Sequence, residues 1–366
     1  MNIRTAYSVK TDIQEAVQDI QTQLSDFEPR LIIFFASSSI APDEIADRME
    51  AAFPRAETFG CSTAGEIVTG KMLTDSLVAM AFNRQAIKNS KVEVLDDLNR
   101  ESHRAFNAFE RHFDKPMSKM DPKQYLGIIL IDGLCGKEER IMDRIGDFTN
   151  VNFIGGSAGD DLKFQSTHVY ANGKSYTNAA VLAILEPNTE FTFIKTQSFS
   201  PLQKKLLVTK ADETKREILE FDQKPAALAY AEALGTSIED APKHFMHNPV
   251  GIVYEGEPFV RSPQRIKGNS IKFYCGVKEG IELTLLESTD IIASTKEALD
   301  RVRAELGDIS GIINFNCILR TLELREKGLT ESYGALFSDF PTVGFSTYGE
   351  QFIGHINQTA TMLVFR

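Results

Sequence analysis

Three short segments of the chain place a glycine, then a serine two residues on, then a carboxylate three or four residues further. They are Gly60-Cys61-Ser62-Thr63-Ala64-Gly65-Glu66, Gly155-Gly156-Ser157-Ala158-Gly159-Asp160-Asp161 and Gly344-Phe345-Ser346-Thr347-Tyr348-Gly349-Glu350. A Gly-x-Ser turn lets backbone N–H groups and a hydroxyl approach a ligand closely, and the acid adds an acceptor. The candidate ligand-binding residues from these turns are Ser62, Glu66, Ser157, Asp160, Ser346, Tyr348 and Glu350. The hydroxyls would orient a ligand and an acid would take an ammonium. Arg261, in Phe259-Val260-Arg261-Ser262-Pro263, and Arg320, in Asn316-Cys317-Ile318-Leu319-Arg320, would take a carboxylate through the guanidinium fork. Taken singly, each turn is better read as a tight turn with its acid in water, and an arbitrary arginine is more often in a salt bridge.

Other chemistries find less support. Gly155-Gly156-Ser157-Ala158-Gly159 matches G-x-S-x-G, but that motif needs a strand–turn–helix, and here a strand and an Asn172-Gly173 hairpin follow. Neither a phosphate-binding G-x-x-x-x-G-K-[ST] nor a G-x-G-x-x-G opening a helix occurs. His244 and His247 are the only close histidine pair, bracketed by Pro242 and Pro249, and no third metal ligand is visible. There is no CxxCH for covalent haem, whereas non-covalent haem needs only one axial side chain in an apolar pocket. The expectation is a protein without catalysis, with its metal ligands, if any, unassigned.

The elements that must position these residues repeat. Apolar strands begin at Leu31, Leu126 and Gly311, each followed by a helix, and reach the turn glycine after 29, 29 and 33 residues. A further apolar strand follows each turn, at Ser76–Phe82, Ala179–Leu185 and Thr361–Phe365. Helix crossovers give parallel pairs and hairpins antiparallel ones, so the expected fold class is α/β, with mixed sheets built from strand–helix–strand–hairpin units in two domains. Thr11-Asp12-Ile13-Gln14 has capping-box form ahead of an Ile13, Val17, Ile20, Leu24 stripe. Pro42 opens a short helix, and Pro225 to Leu234 reads as another, with Pro225 at its first position and Gly235 ending it. The domain boundary is expected near residue 222, giving 1–222 and 223–366.

With 40 basic against 51 acidic residues in 366, the net charge of −11 argues against non-specific nucleic-acid binding, which runs on Lys and Arg. Apolar content of 42% excludes wholesale disorder. The N-terminus lacks a secretory h-region, and the longest apolar runs fall far short of the ~20 residues of a membrane span. Four scattered cysteines read as reduced thiols, so the expected location is the cytoplasm, away from membranes.

Taken in order, these segments resemble the FIST family, named for F-box and intracellular signal-transduction proteins. The N-terminal FIST signature is similar to Phe34-Phe35-Ala36-Ser37, the first two turns, Asn172-Gly173 and Lys224-Pro225-Ala226. The C-terminal signature is similar to Val260-Arg261-Ser262-Pro263, Asn316–Arg320, the third turn and His355-Ile356-Asn357-Gln358-Thr359-Ala360, which adds Asn357 to the candidate site. The chain departs from the common pattern at Gln351-Phe352. The resemblance implies a stand-alone sensory module that binds a small, amino-acid-like ligand at or near the domain interface. It also implies signalling through a partner such as a histidine kinase. One branch of the family implies an alternative, a haem-based nitric-oxide sensor acting on a partner kinase.

Overall fold

The computed structural model describes residues 2–96, 98 and 103–366. It opens with β1 (Ile3–Ser8) and α1 (Ile13–Gln23), followed by the first repeat: β2 (Leu31–Ser37), α2 (Pro42–Ala52), β3 (Glu57–Thr63), a hairpin of β4 (Glu66–Val68) and β5 (Lys71–Leu73), and β6 (Leu77–Phe82). After β7 (Ile87–Leu95) and α3 (Arg104–Phe113), the second repeat has the same order. It runs β8 (Leu126–Ile131), α4 (Glu138–Phe148), β9 (Phe153–Ser157), β10 (Val169–Ala171), β11 (Lys174–Tyr176) and β12 (Ala180–Pro187). The cap of α1 lies one residue later than expected: Asp12, not Thr11, is the N-cap, its carboxylate accepting from Glu15 N at 2.9 Å. Asn172 and Gly173 both have positive φ, 53° and 70°, so the expected two-residue hairpin joins β10 to β11.

The chain continues through β13 (Phe191–Gln197), β14 (Phe199–Asp212), β15 (Glu217–Phe221), β16 (Lys224–Pro225), α5 (Ala226–Leu234), β17 (Val250–Tyr254), β18 (Glu257–Arg261), β19 (Pro263–Lys267), β20 (Ser270–Phe273) and β21 (Glu282–Ser288). Pro225 caps α5 from outside rather than opening it, and Gly235 ends it with φ of 71°. Then α6 (Ile291–Leu306) leads to the third repeat: β22 (Gly311–Cys317), α7 (Ile318–Glu326), α8 (Thr330–Ala335), β23 (Thr342–Thr347), β24 (Glu350–Phe352), β25 (His355–Ile356) and β26 (Thr359–Phe365). The fold is α/β with mixed sheets, as the repeats required. Two compact units form, one of Met1–Thr196, Thr295–Gly354 and Ala360–Arg366, the other of Gln197–Ser294 and His355–Thr359. A single cut near 222 describes the order of sequence segments. The compact units interleave along the chain, because the third repeat folds with the first two.

In the larger unit each repeat supplies a parallel pair flanked by its own last strand: β6–β2–β3, β12–β8–β9 and β26–β22–β23. The hairpins do not stay with their own repeat. The β4–β5 hairpin pairs with β23 of the third repeat, β10–β11 with β3 of the first, and β24 with β9 of the second. This cyclic exchange closes the three sheets around one core, in which Ile33 and Phe35, Ile128 and Leu130, and Ile313 and Phe315 share a single buried cluster. Two- or three-residue strands bury too little to stand alone, and pairing across repeats satisfies their backbone groups. The smaller unit is a sheet of order β18–β17–β21–β14–β15–β20–β19, with β16 beside β15. Its core gathers Val208, Ile218, Phe221, Tyr230, Phe273 and Leu285.

The leading glycine of each turn has a structural cause. A Cβ at Gly60, Gly155 or Gly344 would lie 1.9, 1.7 or 2.0 Å from the carbonyl oxygen of Phe34, Ile129 or Asn314, its partner in the parallel pair. Alanine at any of the three is therefore expected to destabilise by about 4 kcal/mol or more. Gly146→Ala in α4, where a Cβ meets nothing within 4 Å, is expected to stabilise by up to about 1 kcal/mol. Urea midpoints of the four variants check this contrast.

Candidate functional site

The three turns meet, at the carboxyl ends of β3, β9 and β23. Gly159 N donates to Ser62 O at 2.9 Å, Ser157 N to Gly349 O at 2.9 Å, and Ser346 N to Gly65 O at 2.8 Å, so every pair of turns is bridged. Thr347 Oγ1 adds bonds to Ser157 O and Gly349 O, at 2.8 and 2.9 Å. Carboxyl ends of sheet strands are the usual ligand positions of α/β folds. The hairpin exchange produces this convergence, since each turn leads into a hairpin that belongs to another repeat's sheet.

The serine side chains of the turns are engaged by protein groups. Ser62 Oγ donates to Gly159 O and accepts from His168 N, both at 2.9 Å. Ser157 Oγ accepts from Gln351 Nε2 at 3.0 Å and donates to Glu138 at 3.4 Å, and Ser346 Oγ lies 2.7 Å from Thr321 Oγ1. The strand holding Ser157 leads to β10 and not into a helix, so no nucleophile elbow forms. Glu350 is fully buried on β24, its backbone opposite Gly156.

Glu66 is buried, and Ser76 donates to its Oε2 from both N, at 3.1 Å, and Oγ, at 2.6 Å. Burial pushes its pKa up to about 7, against the lowering effect of the bonds from Ser76 and Thr63. The single Thr63 hydroxyl reaches both Glu66 Oε1 and Ala36 O. A protonated Glu66 can donate to it while it donates to Ala36, which suits the neutral acid. With the folded pKa above the ordinary 4.5, folding takes up a proton between those values. The stability from Glu66 is full below pH about 4.5 and is lost as pH rises through about 7, a change of about 3 kcal/mol. Glu66→Gln is expected to flatten this decline, measured as melting temperature from pH 4.5 to 7.5.

Asp160 and Tyr348 organise a loop. The Asp160 carboxylate accepts from the N–H groups of Phe164, Gln165 and Ser166 at 2.7 to 3.1 Å, and from Tyr348 Oη at 2.5 Å. Tyr348 Oη accepts in turn from Asp160 N and Leu162 N, and its ring stacks on Phe164 at 5.2 Å. Asp161, Leu162 and Phe164 all have positive φ, a conformation that non-glycine residues hold only when their surroundings enforce it. Burial and the bond to Asp160 push the Tyr348 hydroxyl well above its usual range. Tyr348→Phe is expected to cost about 1–3 kcal/mol and to speed amide exchange over residues 160–166 selectively. Hydrogen-exchange mass spectrometry checks it.

Arg320 lies in a polar layer that distinguishes the third repeat. Strand register equates Phe34, Ile129 and Asn314, and likewise Ala36, Ile131 and Asn316. The first two repeats pack these positions in apolar clusters beneath their helices. In the third, Asn316 Oδ1 accepts from Arg320 Nε at 3.0 Å and Tyr333 Oη at 3.1 Å, and Arg320 Nη2 donates to Thr295 at 3.0 Å. Arg320 is 1% exposed. The contributions of Asn314, Asn316, Thr295 and Tyr333 escaped the sequence reading, although aligning the three first strands would have singled out the two asparagines.

Arg261 and Asn357 belong to the smaller unit, and the other candidates to the larger. Arg261 is half-buried and donates from Nη1 to Val260 O at 3.1 Å. Asn357 is 1% exposed, and among the described residues neither its Oδ1 nor its Nδ2 has a hydrogen-bond partner. Among the described residues no cluster of three or more His, Cys, Asp or Glu side chains is placed to hold a metal ion, and no helix is long and apolar enough to cross a membrane. No disulfide joins the cysteines.

Comparison with known proteins gives two family matches. The family model of the FIST N domain matches residues 30–224, and that of the FIST C domain matches residues 226–353. A curated relative, an uncharacterised protein of Methanocaldococcus jannaschii, is 24% identical over 300 residues, covering 74% of this chain. The aligned region spans 57% of that relative's length.

Proposed function

The chain belongs to the FIST family of signal-transduction sensory domains, and from that premise we propose that it binds a small amino-acid-like ligand and reports occupancy to a partner protein. It acts without catalysis, in the cytoplasm, with a histidine kinase as the kind of partner that fits. One observation carries the reading: the Asn357 carboxamide is buried with both polar ends unpaired among the described residues. Leaving such a group unsatisfied costs about 1–3 kcal/mol, so its retention favours a ligand that completes it. The turns contribute differently. With their hydroxyls and the Glu66 and Asp160 carboxylates engaged, they form a rigid joint through which the three sheets move together.

A thermal-shift screen of the full chain against L-amino acids tests this. A bound ligand raises the melting temperature by a few degrees, corresponding to about 2.7 kcal/mol at a hundredfold excess over Kd. Asn357→Leu is expected to keep or raise the unliganded melting temperature, since it removes an unpaired amide, while abolishing the shift. A large loss of stability in Asn357→Leu, with the ligand shift intact, would assign the amide to scaffolding. A Soret band on adding hemin, moved by nitric oxide, would replace the amino-acid ligand with haem.

A further inference from the structure

Beside the edge strand β7 of the larger unit, three N–H groups converge on one oxygen. Asn89 Oδ1 accepts from Arg30 Nη2 at 3.2 Å and from Ser90 N at 3.0 Å, and lies 3.0 Å from His112 Nε2. Arg30 and Ser90 N can only donate, so the oxygen end of the carboxamide faces them and His112 carries its proton on Nε2. The backbone fixes this meeting. Arg30 N donates to Phe82 O at 2.7 Å, and Arg30 O accepts from Glu57 N at 2.9 Å. His112 lies in the last turn of α3. Asn89 follows a bulge, where the β7–β12 register slips between Glu186 and Pro187, and bulges re-aim the side chains beside them. All three elements lie within Met1–Thr196 of one compact unit.

A neutral amide oxygen has two lone pairs for these three donors. The Arg30 guanidinium makes this one side-chain bond, its Nε is buried without a partner, and among the described residues no carboxylate pairs with it. Glu57, bonded to Arg30 through the backbone, has its carboxylate engaged by Ser90 Oγ at 2.6 Å and Val92 N at 3.3 Å. A half-buried guanidinium left with one neutral acceptor is unfavourable unless an anion completes it. We propose that this cluster is a phosphate-binding site whose place the Asn89 carboxamide holds when it is empty. One phosphate oxygen replaces Asn89 Oδ1, and a second meets Arg30 Nε, making the bidentate pair that a guanidinium fork favours. A carboxylate would use both its oxygens, in one plane, on that fork. A phosphate keeps others, out of the plane, for His112 Nε2 and Ser90 N. Because Nε is closed to solvent, an entering anion must displace a group, and the Asn89 carboxamide is the one that meets both Arg30 and His112. His112 is exposed, so the cluster is reached from solvent.

Calorimetry and thermal shift on the full chain test this, with inorganic phosphate, glycerol 3-phosphate and acetate at constant ionic strength. At least one of the two phosphates is expected to bind about tenfold or more tightly than acetate, and Arg30→Gln to weaken it by about the same factor. Asn89→Ala, which vacates the oxygen's place, should bind phosphate more tightly than the wild type. Asn89→Asp should do the opposite: its own carboxylate meets Arg30 and His112, the melting temperature rises, and the phosphate shift disappears. Both Asn89 variants decide the matter even where Arg30→Gln fails to fold. Tighter binding of glycerol 3-phosphate would support the site as one for an organic ester, and tighter binding of the free ion as one for inorganic phosphate. Acetate binding as tightly as either phosphate would overturn the ligand class. Silence toward both phosphates in the wild type and in Asn89→Ala, or a melting temperature unchanged or lowered by Asn89→Asp, would overturn the site. Neither result bears on the amino-acid screen, which reads Asn357.

Discussion

The structure depends on an exchange of hairpins. Each repeat ends its second strand in a turn and sends the following short hairpin to the sheet of another repeat, so that no sheet of the larger unit is complete without a neighbour. Strands of two or three residues have little surface of their own to bury, and outside their own hairpin they pair across repeats. The consequence is cooperative. One core cluster draws on all three sheets, and a turn cannot shift without disturbing backbone bonds to the other two.

That cooperativity explains why the turns look like a binding motif in sequence while serving largely as a joint. Glycine is required where the parallel neighbour's carbonyl leaves no room for a Cβ. Serine is required because its backbone and hydroxyl are the cross-repeat contacts, as Ser62 with Gly159 illustrates. The acids satisfy buried donors: Glu66 holds Ser76, and Asp160 gathers the amides of its own loop. A joint of this kind suits a sensory domain, because a tightly coupled set of contacts changes arrangement as a whole and not gradually.

The groups with polar capacity to spare lie elsewhere. Asn357 and Arg261 sit in the smaller unit, and the third repeat alone exchanges apolar residues beneath its helices for Asn314, Asn316 and Arg320. Burying amides and a guanidinium where leucine or isoleucine would pack is unfavourable unless the network is satisfied and serves a purpose. Departures from an internal repeat are therefore a sharper guide to function here than the features the repeats share.

The sequence by itself determined the three repeats, the order of strand, helix, strand and hairpin within each, the Asn172–Gly173 turn and the family signature, because periodicity, turn chemistry and motif spacing are local properties. It also nominated Arg261, Arg320 and Asn357. Only the tertiary structure decided that the turns meet, that their serine hydroxyls are engaged by protein groups, and that Glu66 is buried against Ser76. It alone placed the third repeat in one compact unit with the first two. The reason is physical: pairing between strands more than a hundred residues apart, such as β4 with β23, leaves no periodic trace in either segment, and whether a polar group is satisfied depends on neighbours that only folding supplies.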